Sequence, residues 1–254
     1  DSSCGQEKLD PKEIIKHNIN LDNFDLDDIK VKNADYLNVN IIEYAPKCFA
    51  YLRRLEEIYM DEMISSFLPK NIRRGIQESQ GKSGSFFIST DDNKYMIKTL
   101  KVDEFELIRH TFLKKYMDYL THNPNSLMCR LYGMYNIKTG NDDEMLIIVM
   151  RNIIGDLKEN IVAQYDLKGS TFQREQKIDA SRINKDTMKD LNFNEIEKGS
   201  MIDELLIEHL RKVTRNDSKF LSSNGLMDYS LFLVKVTLTK EESIDIFGDD
   251  ILER

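Results

Sequence analysis

The sequence has few of the residues that build metal sites and disulfide frameworks. It contains 3 cysteines, which are widely spaced, and 4 histidines, which form no cluster with metal-ligand spacing. Scattered cysteines in odd number argue against a disulfide framework, and the histidine positions argue against a structural zinc site. No apolar run approaches the ~18 residues that span a bilayer, and no start resembles a signal peptide. We therefore expect a soluble, cytoplasmic protein.

An excess of basic residues is also missing. The chain carries 36 lysines and arginines against 44 aspartates and glutamates, a formal net charge of -8. This balance argues against nucleic acid as the main partner, and any contact with an anionic membrane needs a local basic patch. What the chain does have is length: 254 residues, 41% of them hydrophobic, can bury a sizeable core in one large domain or two lobes.

A short glycine loop precedes a predicted β-hairpin. Two runs of strand-forming residues, 85–90 and 95–100, are separated by a polar turn. Glycines allow close backbone approach and leave N–H groups available to an anion, and Lys98 on the second strand can approach the same phosphates. This predicts a nucleotide-phosphate site, although a surface hairpin with a solvated lysine remains the alternative because short glycine patterns are weak signals. The loop consists of Gly81, Lys82, Ser83 and Gly84.

The elements around the hairpin follow the order of a protein-kinase N-terminal lobe. Apolar spacing of three and four residues predicts helices at 46–59, 60–67 and 103–122, and apolar runs predict strands at 127–137 and 144–154. In such a lobe the end of the last strand becomes the hinge that contacts adenine. Here the hinge falls at residues 150–153 and includes Met150 and Asn152.

Glu106, near the start of the third predicted helix, has two interpretations. It can be the fourth residue of a capping box that begins at Asp103. Alternatively, in a kinase-like lobe, the helix after the lysine strand supplies the carboxylate that holds this lysine, and Glu106 would then pair with Lys98.

The second half of the chain contains two candidate chemical segments. Lys168 and Arg174 lie six residues apart in a predicted loop, where they can converge on one polyanion, as phosphoryl transfer requires. Asp228 lies between a loop and an apolar strand, where it is either a functional carboxylate or a turn-capping residue. Between the two segments, residues 200–221 are predicted to form the core helix of a second lobe, with Ser200 as its N-cap and His209 at the core edge.

Five stretches of the sequence together resemble the phosphatidylinositol phosphate kinase family. They occur in the family's order from about residue 42 to residue 238, and residues 1–41 are not covered. The most specific are DLKGS at 166–170 and MDYSL at 227–231. The other three are YAPK at 44–47, GKSGSFF at 81–87 and MIKT at 96–99.

The resemblance implies an α+β fold of two lobes, distantly similar to protein kinases, with antiparallel sheets and flanking helices. It implies an N-terminal extension at 1–41, an N-terminal lobe with the glycine loop and the ATP lysine at 42–155, and a partial C-terminal lobe at 156–254. The implied activity is transfer of the γ-phosphate of ATP to a ring hydroxyl of a phosphatidylinositol monophosphate, which makes a bisphosphate. Such an enzyme works as a peripheral protein at a membrane surface.

The resemblance also assigns roles to single residues. Lys98 matches the lysine that binds the ATP phosphates, and Glu106 matches its helix partner. Lys168 matches the lysine that faces the transferred phosphate, and Arg174 matches the arginine that closes the following loop. Asp228 matches the aspartate that positions or deprotonates the attacking hydroxyl.

One feature of the family is not found. Members carry an isoleucine-isoleucine-aspartate segment whose acid holds magnesium, followed by a basic loop that selects the lipid. The nearest match is SIDIFG at 243–248, where Asp245 has acidic surroundings. We expect ATP and Mg²⁺ as cofactors but assign no metal ligand, and we expect the chain to be a fragment that binds nucleotide and turns over poorly.

An alternative function belongs to a different class. The chain would then be a catalytically inactive phosphoinositide-binding module that uses Lys168, Arg174 and neighbouring cations. A soluble protein kinase is disfavoured because no His-Arg-Asp loop occurs. The expected partners are ATP and a phosphoinositide lipid in an anionic membrane, with a homodimer left open and no nucleic acid.

Overall fold

The protein has a mixed α/β fold with two sheets and flanking helices. The structure, a computed structural model, describes residues 29–34, 39–68, 77–78, 85–139, 144–198, 204–227 and 229–239. The chain divides into two compact units, residues 1–153 and 154–254. Strand pairs are antiparallel throughout, except for one short parallel pair in the second unit.

The first unit is built on a seven-stranded antiparallel sheet. Its strands are arranged in the order β1-β2-β6-β7-β5-β4-β3. The central strands β6 and β7 are largely buried, as their nearly continuous apolar sequences predict. The strands are β1 (Ile29–Ala34), β2 (Val39–Tyr44), β3 (Gln77–Glu78), β4 (Phe86–Ser89), β5 (Tyr95–Thr99), β6 (Leu131–Thr139) and β7 (Glu144–Arg151).

The edge of this sheet begins inside the predicted N-terminal extension. Strand β1 pairs antiparallel with β2, with Ile29 opposite Tyr44 and Ala34 opposite Val39. The predicted boundary between residues 41 and 42 therefore falls within β2. At least residues 29–34 of the segment contribute to the sheet.

Helices pack on the sheet through the apolar stripes that the sequence predicts. Phe49 and Leu52 of the first helix are buried, and so are Tyr116 and Leu120 of the last helix. Pro46 occupies the first turn of α1, where its missing N–H leaves no hydrogen bond unmade. The helices are α1 (Pro46–Leu55), α2 (Met60–Ser66), α3 (Val102–Leu107) and α4 (Leu113–His122), and a π-helical turn (Ile108–Phe112) joins the last two.

The predicted hairpin is confirmed as β4 and β5. The strands pair antiparallel, with Phe87 opposite Lys98 and Ser89 opposite Met96. Asp92 closes the turn: its carboxylate accepts hydrogen bonds from the Thr90 hydroxyl at 2.5 Å and from the Lys94 backbone N–H at 3.2 Å. These bonds fix the position of Lys98 relative to the turn.

The second unit contains a three-stranded sheet in the order β10-β8-β9. Its core is formed by Ala163, Tyr165 and Met188, all nearly inaccessible to solvent. The Tyr165 hydroxyl donates to Glu197 at 2.7 Å, which ties the central strand to the end of a helix. The strands are β8 (Ile161–Leu167), β9 (Thr187–Met188) and β10 (Leu231–Val236), and the helices are α5 (Asp190–Ile196) and α6 (Glu204–Ser223), with 3-10 turns at Gly155–Asn160 and Ala180–Arg182.

The long helix of the second unit differs in burial from the prediction. The helix is confirmed from Glu204 to Ser223, while its predicted N-cap, Ser200, lies outside the described residues. Leu205 is 78% exposed, and His209 is exposed rather than at the edge of a core. No helix in the described part of the chain has the length and apolar character needed to cross a membrane.

Candidate active site

Lys98 lies on β5, between two neighbouring strands of the first unit. Its backbone is opposite Phe87 of β4 and Ile148 of β7. The side chain keeps 23% of its surface exposed, and its ammonium group lies 3.4 Å from Glu104 Oε1. A rigid sheet therefore presents a partly accessible cation that already has one carboxylate partner, which is a suitable arrangement for a phosphate ligand.

The structure pairs Lys98 with Glu104 and not with Glu106. Helix α3 begins at Val102 with Lys101 as N-cap, so Glu104 is its third residue and accepts the Lys101 backbone N–H at 3.1 Å. Both the predicted capping residue and the predicted ion pair are therefore wrong by two positions along the chain. Glu106 instead contacts His110, 2.8 Å away on the helix surface.

Residues of the predicted hinge at the end of β7 already make strand pairs and backbone hydrogen bonds within the first unit. Met150 is half-buried, and its backbone lies opposite Met96 of β5. Asn152 is buried, and its backbone N–H donates to Lys94 O at 2.9 Å. The Arg151 N–H likewise donates to Arg130 O at 2.9 Å. Adenine contacts by this segment remain a prediction, and these two backbone donors already have protein partners.

The loop after β8 is fixed by a carboxylate that the sequence analysis did not single out. Asp190 Oδ1 accepts hydrogen bonds from the backbone N–H groups of Lys168 at 3.0 Å, Gly169 at 2.8 Å and Ser170 at 3.4 Å. Three successive backbone donors around one oxygen form an anion nest, which here holds a side chain of the same unit. Because β8 and β9 are parallel, their carboxyl ends bring residues 168–170 and Asp190 together.

Arg174 faces the interior of the second unit. Its guanidinium donates from Nε to Asp190 Oδ2 at 2.7 Å, and from Nη2 to the carboxylate of Asp166 at 3.1 Å and to the Asp166 carbonyl. Only 9% of the residue is exposed. The hypothesis that Arg174 joins Lys168 at an external polyanion is therefore not supported. We call Asp166, Arg174, Asp190 and the backbone of residues 168–170 the Asp190 cluster.

Lys168 itself is exposed at the start of this fixed loop, so its backbone is anchored while its side chain lies at the surface. The remaining predicted site residues, which are Gly81, Lys82, Ser83, Gly84 and Asp228, lie outside the described residues. Lys98 belongs to the first unit and Lys168 to the second.

Comparison with known proteins identifies the family to which the chain belongs. The model of the family described as phosphatidylinositol-4-phosphate 5-kinase matches residues 70–246. The chain belongs to this family.

Within the aligned region, individual members of the family are about one-third identical to this chain. A probable phosphatidylinositol phosphate kinase of Dictyostelium discoideum is 33% identical over 195 residues, which cover 75% of this chain and 27% of that protein. Phosphatidylinositol 4-phosphate 5-kinase type-1 beta of Gallus gallus is 34% identical over 192 residues, 75% of this chain and 34% of the relative. Phosphatidylinositol 4-phosphate 5-kinase type-1 alpha of Homo sapiens is 33% identical over 192 residues, which cover 75% of this chain and 33% of that protein. The chain thus spans about a third or less of these relatives.

The magnesium expected of a phosphatidylinositol phosphate kinase has no assigned ligands in the described part of the chain. There, no group of three or more histidine, cysteine, aspartate or glutamate side chains is arranged to hold a metal ion. Asp166 and Asp190 are both committed to Arg174. Asp245, the nearest sequence match to the family's metal-binding acid, lies outside the described residues.

The stability of the Asp190 cluster should depend on pH. Burial alone would raise the pKa of Asp190, but the hydrogen bonds from Arg174 and from the backbone of Gly169 and Ser170 outweigh it and hold the pKa below its ordinary value. A carboxyl group with a lowered pKa in the folded state stabilises the fold above its unfolded pKa. This contribution is lost as the pH falls from about 4 through the lower folded value.

Hydrogen exchange can measure this loss. Protection of the backbone around residues 161–190, corrected for the intrinsic pH dependence of exchange, should decrease between pH 5 and pH 2, estimated roughly from the ordinary titration range of aspartate. Asp190→Asn should have a flatter profile. An equally steep decrease in that variant would show that other carboxylates cause the effect.

Proposed function

We propose that this chain is the ATP-binding and catalytic part of a two-lobed lipid kinase, with an arrangement distantly similar to that of protein kinases. It would transfer the γ-phosphate of ATP to a phosphatidylinositol monophosphate. The proposal rests on the family membership, together with one observation: a partly exposed lysine, Lys98, is held by a carboxylate on a rigid sheet. The proposed lobes correspond to the two compact units, residues 1–153 and 154–254, with β1 and β2 in the first.

The nucleotide is assigned to the first lobe. Lys98, kept in place by Glu104, would contact the phosphates beneath the loop of residues 81–84, whose backbone N–H groups suit an anion. Adenine would lie against Met150 and Asn152. Mg²⁺, when bound with ATP, would neutralise part of the phosphate charge.

The transfer step is assigned to the second lobe. Asp228 would accept the proton of the ring hydroxyl as its oxygen bonds to the γ-phosphorus and the bond to the β-phosphate oxygen breaks, leaving ADP. Lys168 would stabilise the charge on the transferred group, and opposite charge placed in advance is usually the largest contribution to such a step. Arg174 and Asp190 would act as positioning residues, because they fix the loop that carries Lys168.

The site of action is a membrane surface on the cytoplasmic side, where a phosphoinositide is presented as a lipid. The homodimer remains a further proposal without a described interface. The alternative, a catalytically inactive lipid-binding module, requires cations that face a ligand. The inward orientation of Arg174 removes one of the cations assigned to it, which were Lys168, Arg174 and their neighbours.

A single-turnover assay tests the proposal. The chain in excess over γ-labelled ATP should move label into the lipid fraction of vesicles that contain phosphatidylinositol 4-phosphate. Absence of ATP binding overturns the proposal, and ATP binding with no label in the lipid overturns the catalytic part.

Lys168→Ala gives a sharper form of this assay. It should lower the rate of transfer about a hundredfold while leaving ATP affinity within about twofold, because the side chain acts on the transferred group and its backbone stays bound to Asp190. Lys212→Ala, an exposed lysine of helix α6 that lies outside residues 168–189, is the matched control and should transfer at the normal rate. Equal rates for Lys168→Ala and the control would contradict the role of Lys168.

A further inference from the structure

Phe172 is held out in solvent beside the candidate catalytic lysine. The residue is 79% exposed, and among the large hydrophobic side chains of the described ranges only Met227, at 86%, is more exposed. In this position the ring gains none of the stabilisation that burial in a core would give. Single exposed apolar side chains are common on protein surfaces, so it is the fixed loop and the lysines close in sequence that distinguish Phe172.

The exposure of Phe172 comes from a constrained loop. Gly169 has φ 68° and Gln173 has φ 55°, so the backbone is left-handed before and after the aromatic residue. The Phe172 N–H donates to Ser170 Oγ at 3.3 Å, and the Arg174 N–H donates to Thr171 O at 3.4 Å. Both ends of the loop are fixed by the Asp190 cluster. A non-glycine residue in the left-handed region is strained and persists only where the surroundings impose it.

The stretch around Phe172 lacks the acidic excess of the whole chain. Residues 166–190 carry six lysines and arginines against five carboxylates, a net charge of +1, whereas the chain has a net charge of -8. Arg174 and Arg182 are paired with carboxylates inside the unit. Lys168, Lys177 and Lys185 of this stretch are exposed. These lysines are local cations of the kind that an acidic protein needs to approach an anionic surface.

We propose that Phe172 inserts into the interfacial layer of an anionic membrane while the basic residues of 168–189 contact lipid head groups. The proposal deepens the proposed function, on which it rests for the presence of a membrane at this site. An exposed aromatic ring in a stretch with exposed lysines matches an interface that is apolar inside and negatively charged at its surface. The lysines contribute an attraction that salt screens, and insertion of the ring adds a contribution that salt does not screen. Insertion would also place Lys168 at the height of the lipid head groups.

The absence of tryptophan from the chain allows a direct test. The sequence contains no tryptophan, so Phe172→Trp introduces a single fluorescent reporter. Its emission should shift to shorter wavelength on vesicles of phosphatidylcholine mixed with phosphatidylserine and be quenched by brominated acyl chains, but should not change on phosphatidylcholine alone. Leu205→Trp, at a position in the same unit that is 78% exposed, is the matched control and should show neither change. No shift at position 172, or an equal shift at both positions, would overturn the proposal.

A vesicle sedimentation assay measures how much Phe172 contributes to the free energy of membrane binding. Phe172→Ala should weaken binding to the mixed vesicles about tenfold, which corresponds to about 1.4 kcal/mol, and the difference should persist in high salt. ATP affinity should stay normal. These vesicles contain no phosphoinositide. The binding result can therefore be interpreted even if the kinase proposal fails. Unchanged vesicle binding by Phe172→Ala would overturn membrane insertion. It would also be overturned if a protein partner, and not the vesicles, covered the loop that carries Phe172.

Discussion

Replacing Lys98 with methionine is expected to lower the affinity of the chain for ATP by about a hundredfold or more, because losing one partner of a hydrogen-bonded charge contact costs about 2–5 kcal/mol of binding free energy. Methionine keeps an unbranched apolar stem on β5 and removes only the cation. The fold should tolerate the change, because the ion pair with Glu104 is partly exposed, with 23% and 36% of the two side-chain surfaces accessible. Pairs of this kind contribute about 0–1 kcal/mol. Titration calorimetry at low salt measures the affinity.

The two glutamates of helix α3 provide a matched control for this prediction. Glu104→Gln should weaken ATP binding by about tenfold, because the lysine loses its partner and part of its orientation. Glu106→Gln should bind ATP normally, because Glu106 contacts His110 on the helix surface. ATP binding by Lys98→Met at normal affinity would contradict the nucleotide site. A larger effect of Glu106→Gln than of Glu104→Gln would contradict the geometry.

The hairpin and the helices of the first unit could be predicted from sequence because their signals are local. Strand-forming runs on either side of the turn at Asp92 specify β4 and β5, and a single apolar stripe specifies α1. The contribution of β1 was missed because its pairing with β2 depends on a neighbour in the sheet. A six-residue strand of sequence IKVKNA has weak periodicity on its own.

The partner of Lys98 was predicted two residues too far along the chain because the start of helix α3 was placed too late. Asp103 is a good capping residue type, but the helix begins at Val102, and the N-cap is Lys101. A shift of two residues rotates the helix surface by about 200°, since each residue turns by about 100°. The predicted glutamate therefore faces away from Lys98, and Glu104 faces toward it.

Asp190 could not be identified from sequence because its role depends on three backbone donors and one arginine that lie 16 to 22 residues away. Its position directly before the apolar residues of α5 has an ordinary explanation as a helix N-terminal acid. Two pairs of opposite charge in an otherwise basic stretch, Asp166 and Asp190 around Arg174, were the available signal. Conversely, the presence of Lys168 and Arg174 in one loop suggested a shared ligand, but burial separates their roles.

The largest loss of stability is expected for Asp190→Ala. The change removes the acceptor of three backbone N–H groups and one of the two carboxylates that compensate the buried Arg174. Breaking a buried ion pair by removing one partner costs about 3–5 kcal/mol, a large fraction of the stability of a small domain. Hydrogen exchange of residues 161–190 should accelerate by about a hundredfold or more, since each 1.4 kcal/mol corresponds to a factor of ten.

The same unit supplies the control and a test of the cause. Asp186→Ala removes an equal charge from a surface pair with Arg182 and should cost less than about 1 kcal/mol. If charge compensation is the reason for the large effect, Arg174→Met combined with Asp190→Asn should be more stable than the sum of the two single changes predicts, by at least about 1 kcal/mol. Asn keeps an oxygen for the backbone donors, so the remaining coupling belongs to the ion pair. Strict additivity, or an Asp186→Ala variant as unstable as Asp190→Ala, would show that Asp190 does not hold Arg174 and the Lys168 loop as the geometry indicates.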